Sequence, residues 1–349
     1  MRWSGVVALL SLGCVAACVT GTDFTDPPCQ GCTPPLDAGT DAGRDAGVDG
    51  GRGEPFDAGP GVLTVAEWNL EFFAKADAGP LDDALQTANV TAVMGPINAD
   101  LWALEEVCDE DHFHQVITQL KAQYGEDYGY VLANDPNIGN AYPAFAGPWG
   151  QKTAVLYKKD VATVLGAQLV YQTEWGADFV GRDPLELSLR LDTGSGSTRD
   201  VAFIVIHLKA LSDGTSYARR LKESEDLKGY LDSVRGSDPV FVTGDWNDTL
   251  DRSITCDGGL CNASPFANFL ADPDHYRFVT QDLGPGARTT VAYPSVIDHH
   301  LISDELFGNY LDGSVHVERP DQPGHTPYVP EYGRTTSDHY PTVARYRFP

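Results

Sequence analysis

The chain has 349 residues, with 24 Lys and Arg against 50 Asp and Glu, and a formal net charge of −26 at pH 7. Its 42% apolar and 21% charged residues exclude a fully disordered chain, a collagen and a multi-span membrane protein. The acidity argues against a general polyanion-binding protein, and the length allows one large domain or two ordinary ones.

Residues 1–18 predict a lipoprotein signal peptide. Arg2 supplies positive charge, and the apolar stretch after it is too short to span a bilayer. The segment VAAC, which ends at Cys18, is typical of a bacterial lipobox, whose cysteine carries the lipid anchor. The two residues after it contain no Asp, so we expect an outer-membrane or cell-surface lipoprotein. An ordinary secreted protein is the alternative.

Residues 19–60 predict a disordered tether, because Gly and Pro fill 15 of these 42 positions and Asp-Ala-Gly recurs four times. The cysteines of an exported chain favour short-loop disulfides, here Cys29 with Cys32 and Cys256 with Cys261. Cys108 is left over, and its apolar surroundings in sequence predict a buried thiol.

Residues 61–349 predict one folded domain. Short apolar runs rich in β-formers recur from residue 62 to residue 346. Helical patterns lie between some of them, at Asp82–Val93, Asp111–Tyr124 and Tyr217–Val234. Strands outnumber helices and the alternation is irregular, which favours an α/β layered sandwich over a doubly wound parallel sheet.

Polar residues end six of the apolar runs, and this is the most informative feature of the sequence. They are Asn69 and Glu71, Glu105 and Glu106, His207, Asp245 and Asn247, Asp298 with His299, and Asp338 with His339. Side chains alternate along a strand, so a subset of these groups is expected to point into a common cleft at one sheet edge.

These segments resemble, in order, the motifs of the endonuclease/exonuclease/phosphatase superfamily, which has the deoxyribonuclease I-like fold. The segments are WNLE at 68–71, DLWALEEV at 100–107, HLK at 207–209, GDWND at 244–248, IDH at 297–299 and SDHYP at 337–341. The helix Tyr217–Val234 with its paired arginines is most similar to the bacterial extracellular nucleases. The resemblance implies a four-layered α/β sandwich, in which two packed mixed β-sheets are flanked by helices.

The resemblance also implies the roles of the site residues. Metal-binding roles fall on Asn69, Glu71, Glu106 and Asp338, and catalytic roles fall on His207, Asp245, Asn247, Asp298 and His339. The implied cofactor is Mg²⁺ or Mn²⁺, with Ca²⁺ as an alternative. Asp298 would orient His339, and either Asp245 or His339 would act on the attacking water.

Two of these residues, Asn247 and His207, are expected to donate hydrogen bonds to phosphate oxygens. Lys209 and Lys152 are further candidates for a phosphate contact. The resemblance thus predicts a monomeric, metal-dependent phosphodiester hydrolase, above all a nuclease for DNA or RNA. The alternatives are a phospholipase C or sphingomyelinase-like phosphodiesterase and a catalytically inactive binding protein on the same fold.

Overall fold

The computed structural model describes residues 59–140, 150–170, 179 and 182–348. The predicted signal peptide and nearly all of the predicted tether lie outside these residues, and so do Cys18, Cys29 and Cys32. None of the helices in the described part of the chain has an apolar stretch long enough to cross a membrane.

The described elements alternate along the chain, and strands predominate. The strands are β1 (Val62–Phe73), β2 (Leu101–Val107), β3 (Tyr128–Leu132), β4 (Lys152–Lys158), β5 (Ala162–Leu169), β6 (Leu185–Asp192), β7 (Thr198–His207), β8 (Val240–Asp245), β9 (Arg252–Asp257), β10 (Leu260–Ala263), β11 (Tyr276–Phe278), β12 (Asp298–Ser303), β13 (His316–Val317) and β14 (Thr342–Arg347). The helices are α1 (Asp83–Ile97), α2 (Glu110–Tyr124), α3 (Gly214–Val234), α4 (Ala267–Leu270) and α5 (Tyr332–Thr335).

Two six-stranded mixed sheets form the centre of the sandwich, as the resemblance implied. One sheet has the order β13-β14-β1-β2-β4-β3, and the other has the order β11-β12-β8-β7-β6-β5. Each contains one parallel pair, β1 with β2 and β7 with β8, while the other neighbours are antiparallel. The carboxyl ends of a parallel pair lie at the same edge of its sheet.

Alternation along each strand divides the apolar side chains between the space between the sheets and the outer faces. Val65 and Ala103 belong to the same buried cluster as Val205 and Phe241 of the second sheet, so the two sheets pack face to face. Helices α1 and α2 cover the outer face of the first sheet, and α3 covers the outer face of the second. The result is the four-layered arrangement implied by the sequence resemblance.

Local capping explains where the three long helices begin. Asp82, Asp109 and Asp213 each precede a helix and accept hydrogen bonds from backbone N–H groups of its first turn. Helix α1 continues beyond the predicted Val93 to Ile97. Strands β5 and β6 were not predicted from the sequence, and they extend the second sheet to its edge.

The cysteine predictions that fall on described residues are confirmed. Cys256 and Cys261 form a disulfide that closes the β9–β10 hairpin. Cys108 is a free, buried cysteine that follows β2, and burial raises the pKa of its thiol to about 11. A thiol that stays protonated in this way is a poor nucleophile, in agreement with a packing role.

Candidate active site

The predicted site residues come together at the carboxyl ends of the two parallel pairs. Asn69 lies near the end of β1 and Glu106 near the end of β2, while His207 ends β7 and Asp245 ends β8. Strand β12 pairs with β8 in a register that sets Asp298 opposite Asp245. Both sheets therefore contribute to one cluster of side chains.

A network of short polar contacts joins the two halves of this cluster. The side-chain nitrogen of Asn69 donates to Oδ2 of Asp245 over 3.1 Å and lies 3.5 Å from Oε1 of Glu106. Asn247 donates to Oδ2 of Asp245 over 2.9 Å and to the carbonyl of Leu208 over 3.1 Å. Both amides thus position Asp245, and that of Asn69 also lies beside Glu106.

The backbone bends sharply where these side chains enter the site. Glu71, Glu106 and Asn247 all have positive φ angles, of 49°, 59° and 55°. Residues other than glycine rarely adopt this region, and such strain is concentrated at functional sites. At Gly244, whose φ is 147°, a Cβ would lie 2.0 Å from the carbonyl oxygen of Ile206, so only glycine fits immediately before Asp245.

His339 is held by Asp298. Its Nδ1 lies 2.9 Å and 3.0 Å from the two carboxylate oxygens of Asp298, which leaves Nε2 facing the site, 4.0 Å from Oδ2 of Asp245. Burial alone would lower the pKa of His339, but the carboxylates around it, with Asp298 foremost, raise it above the usual range. Tyr332 and Trp68 fix the adjacent backbone by donating to the carbonyl of His339.

Arg182 is a site residue that the sequence analysis missed. Its guanidinium donates from Nη1 to Nε2 of His207 over 2.8 Å. The same Nε2 lies 3.7 Å from Oε1 of Glu106 and 3.6 Å from Oδ2 of Asp245. Arg182 belongs to no recognised motif. The sequence pattern that could have indicated it is a single basic residue just before strand β6, in a chain that is otherwise strongly acidic.

The contact with Arg182 determines which hydrogen bond Nε2 of His207 makes in this structure. A guanidinium can donate hydrogen bonds but cannot accept them, so Nε2 of His207 is the acceptor in this arrangement. Burial lowers the pKa of His207, and the positive charge of Arg182 lowers it further. The fixed positive charge on this side of the site is therefore that of Arg182, and His207 holds its guanidinium.

Glu71 and Asp338 lie at the mouth of the site rather than in the central network. The side chain of Asp338 is 54% exposed, and its Oδ1 lies 3.9 Å from Nε2 of His339. Burial raises the pKa of Glu71, and the nearby carboxylate of Asp338 raises it further. Lys152, which with Lys209 was a candidate for a phosphate contact, is buried and donates to the carbonyl of Cys108.

Two further acids lie beneath the network, between the sheets. Glu67 and Glu105 are both fully buried, and Thr342 donates to Oε2 of Glu67. Burial raises the pKa of both carboxyl groups, and neighbouring carboxylates, including Asp298, add to this effect. The site therefore contains more buried acid than its own donors balance.

This surplus of buried acid fits a divalent cation. Asp245, Asp298 and His339 each offer a ligand atom within 4.8 Å of the others, and burial raises the pKa of Glu106 and Asp245. Carboxylate and amide oxygens are the ligands preferred by Mg²⁺, Mn²⁺ and Ca²⁺. Glu106 and Asp245 are the carboxylates that would hold such an ion, while Asn69 directs its side-chain nitrogen at both of them and accepts at Oδ1 from the N–H of Glu71.

The sequence profile of the Endonuclease/Exonuclease/phosphatase family matches residues 66–339, which is most of the chain and includes every element of the network. The chain belongs to this family. Its members are hydrolases of phosphoesters and typically depend on divalent metals. No curated protein matches the chain in sequence.

Solved structures share the fold of this family member at low sequence identity. D. rerio TDP2 in complex with a single-strand DNA product has a TM-score of 0.56 and 15% identity, covering 82% of this chain and 99% of that chain. The human Nocturnin catalytic domain with bound sulfate has a TM-score of 0.55 and 16% identity, covering 83% and 96%. A mannosyl-6-phosphatase of Bacteroides thetaiotaomicron has a TM-score of 0.51 and 17% identity, covering 82% and 100%.

Proposed function

We propose that the chain is a metal-dependent phosphodiesterase, and specifically a nuclease that cleaves DNA or RNA by attack of water on phosphorus. The observation that carries the proposal is the convergence of three groups at one edge of the sandwich. These groups are the acceptors Glu106 and Asp245, the His339–Asp298 pair and the Arg182 guanidinium. Together they supply ligands for a cation, a proton carrier and a fixed positive charge.

The chain's own residues have distinct roles in this proposal. Asp298 holds Nδ1 of His339, so that Nε2 is free to exchange a proton on the substrate side. Asp245 lies 4.0 Å from that Nε2 and competes for the same water. Arg182 donates to a non-bridging phosphate oxygen, where charge develops in the transition state. A divalent cation, when bound, would supply further positive charge to neutralise the phosphate.

A nucleic-acid substrate is favoured by the local charge around His207. The chain is strongly acidic, yet Arg182 and Lys209 both act on the pKa of this histidine. A phosphodiester backbone is the polyanion that such a local cluster would attract. The structure of TDP2 with a single-strand DNA product illustrates that this fold accommodates a nucleic acid in that protein.

A substrate panel tests the proposal. The purified protein is incubated with plasmid DNA, RNA, bis-p-nitrophenyl phosphate, p-nitrophenyl phosphate and sphingomyelin, each with Mg²⁺, with Mn²⁺ and with EDTA. We expect hydrolysis of nucleic acid and of the diester in the presence of metal, and none with EDTA. Preferred hydrolysis of the monoester would indicate a phosphatase, and preferred hydrolysis of sphingomyelin would indicate a phospholipase C-like enzyme. Turnover of none, with correctly folded protein, would support an inactive binding protein.

We also propose that the enzyme is exported and tethered to the outer membrane or cell surface through Cys18. The lipobox-like segment VAAC and the Gly- and Pro-rich residues 19–60 support this proposal. Metabolic labelling with a fatty-acid analogue should mark the wild-type protein and fail to mark the Cys18→Ser variant. Labelling of both would exclude Cys18 as the anchor, and labelling of neither, with protein in the medium, would indicate secretion.

A further inference from the structure

Two cationic residues lie beside the site, on the side of His207, and one buried acid contacts the backbone of the first and the side chain of the second. Glu223 of helix α3 accepts a hydrogen bond at Oε2 from the backbone N–H of Lys209 over 3.0 Å. Its Oε1 lies 3.9 Å from Nε of Arg219. The Glu223 side chain is 3% exposed. A single fixed carboxylate thus connects the loop after β7 with the first half of α3.

Three cations gather around Glu223 in this cluster, and Asp213 is a further acid beside Lys209. Arg182, Lys209 and Arg219 all act on the pKa of Glu223 or of one another. Burial lowers the pKa of Lys209, and the charges of Arg182 and Arg219 lower it further. Burial also raises the pKa of Glu223, to about 7, so this carboxyl is only partly ionised at neutral pH. Cations gathered in this way in an acidic chain create a local anion-binding potential.

The loop that carries Lys209 is rigidly held from below. The fully buried guanidinium of Arg220 pairs with Asp248 over 2.9 Å and donates to the carbonyls of Lys209 and Leu211 over 2.8 Å and 2.6 Å. Leu211 has a φ of 80°, a strained value for leucine. These buried contacts fix the backbone while the Lys209 side chain remains partly exposed, with Nζ donating to the carbonyl of Ala210. A preorganised cation binds an anion at a lower entropic cost.

The same loop is continuous with the catalytic network. Asn247, which donates to Asp245, also donates to the carbonyl of Leu208, the residue that joins His207 to Lys209. The cations therefore begin two residues beyond His207 in the chain. An anion bound there would belong to the same substrate molecule as a phosphate bound at Arg182, provided that the substrate carries its phosphates in series.

We propose that Lys209 and Arg219 form a second-phosphate subsite for a polyanionic chain of nucleotides, next to the phosphate that is cleaved. The subsite rests on the proposed function and sharpens it, because it selects a substrate with several phosphates over a diester with only one. A phospholipid headgroup offers a single phosphodiester and would leave this subsite empty.

Binding measurements test the subsite independently of catalysis. Fluorescence anisotropy follows fluorescein-labelled single-stranded oligonucleotides of increasing length in EDTA, over a range of salt concentrations. We expect Lys209→Ala and Arg219→Ala each to weaken binding by about 5- to 20-fold at low salt and to reduce the slope of log K against log salt by about 0.7. Lys209→Arg keeps the charge and should bind within about threefold of the wild type.

A matched variant controls for the loss of overall charge. Lys121 on α2 is 62% exposed and pairs with Asp127, so Lys121→Ala removes one positive charge without touching the site. Its affinity and salt slope should equal those of the wild type. Equal losses of affinity in Lys121→Ala and Lys209→Ala would show that binding depends only on overall charge, and would overturn the subsite. Unchanged binding in both Lys209→Ala and Arg219→Ala would overturn it as well.

Turnover then separates this inference from the proposed function. The ratio of kcat/KM on a hexanucleotide to kcat/KM on bis-p-nitrophenyl phosphate should fall at least fivefold in Lys209→Ala. An unchanged ratio would assign Lys209 to the cleaved phosphate and overturn the subsite. If the wild type cleaves neither substrate but the oligonucleotide affinity still depends on Lys209 and Arg219, the proposed catalytic function fails while the subsite stands.

Discussion

Arg182 donates a hydrogen bond to Nε2 of His207 over 2.8 Å, and that nitrogen lies between the carboxylates of Glu106 and Asp245. The histidine is buried, and a neutral ring that accepts from a guanidinium needs no counter-charge. The arrangement keeps a positive charge beside Glu106 and Asp245 while the imidazole itself remains uncharged.

The first prediction follows from this contact. Arg182→Ala should lower kcat/KM on DNA by about 100-fold, the usual loss when one preorganised donor to a developing negative charge is removed. Arg190→Ala is the control, because Arg190 is half-exposed and pairs with Asp200 at the surface. Steady-state kinetics with both variants measure the effect, and a loss below threefold in Arg182→Ala would remove Arg182 from the site.

The second prediction concerns Glu106 and metal binding. Burial raises the pKa of Glu106, so Glu106→Gln should raise the melting temperature in EDTA while the amide oxygen still accepts from the N–H of Phe72. Saturating Mn²⁺ should raise the wild-type Tm by about 5 °C and leave that of the variant almost unchanged. Differential scanning fluorimetry measures both effects.

The control for Glu106 is Glu225→Gln, which removes an exposed acid from α3. This variant should retain the full response to Mn²⁺ and full activity. A Glu106→Gln protein that keeps the wild-type response and activity would show that the cation is bound elsewhere.

The third prediction tests the Asp298–His339 pair. Asp298→Asn and His339→Gln should each lower kcat by about 100- to 1,000-fold, because each removes the oriented proton carrier. The double variant should lose little more than either single one, since the two residues act as a unit. Additive losses in a double-mutant cycle would indicate that the two side chains act independently.

The fourth prediction concerns stability and lies away from the site. Burial alone would raise the pKa of Glu318, but hydrogen bonds and charge from His316 and His325 lower it to about 2. A depressed pKa stabilises the fold above the unfolded value near 4.5, and this contribution is lost as pH falls toward 2. Glu318→Gln should therefore reduce the free energy of unfolding by about 3 kcal/mol at pH 6.

Between pH 6 and pH 3 the deficit of Glu318→Gln should shrink by about 2 kcal/mol. Urea denaturation at both pH values measures it. Glu331→Gln is the control, because Glu331 is exposed and pairs only at the surface, with Arg334. A deficit for Glu318→Gln that stays constant with pH would contradict the low pKa.

Much of the fold could be predicted from the sequence, because short apolar runs that end in polar residues indicate strands. The run predicted at Leu101–Val107 is β2 without change, and the final helix residue predicted at Val234 is the one observed. Strand β6 was missed although LELSLRLD alternates clearly. Strand β5 contains Gly166 and lies at the sheet edge, where the hydrophobic signal is weak.

Site residues that belong to a contiguous sequence motif could be predicted. Those that reach the site only through the tertiary fold could not. Asp298 and His339 are 41 residues apart, yet each stands in its own short motif. Arg182 has no such context, and only the tertiary fold brings it within hydrogen-bond distance of His207. The burial of Glu67 follows from alternation, since it lies on the same strand face as Asn69.

The division of the site between the two sheets has a consequence for how the enzyme fails. Asn69 and Glu106 come from one sheet, while His207, Asp245 and Asp298 come from the other. A small separation of the sheets would leave each half intact in secondary structure but would part the amide of Asn69 from Asp245. On heating, activity should therefore be lost before the circular dichroism signal of the secondary structure. Activity thus reports on the packing of the two sheets against each other.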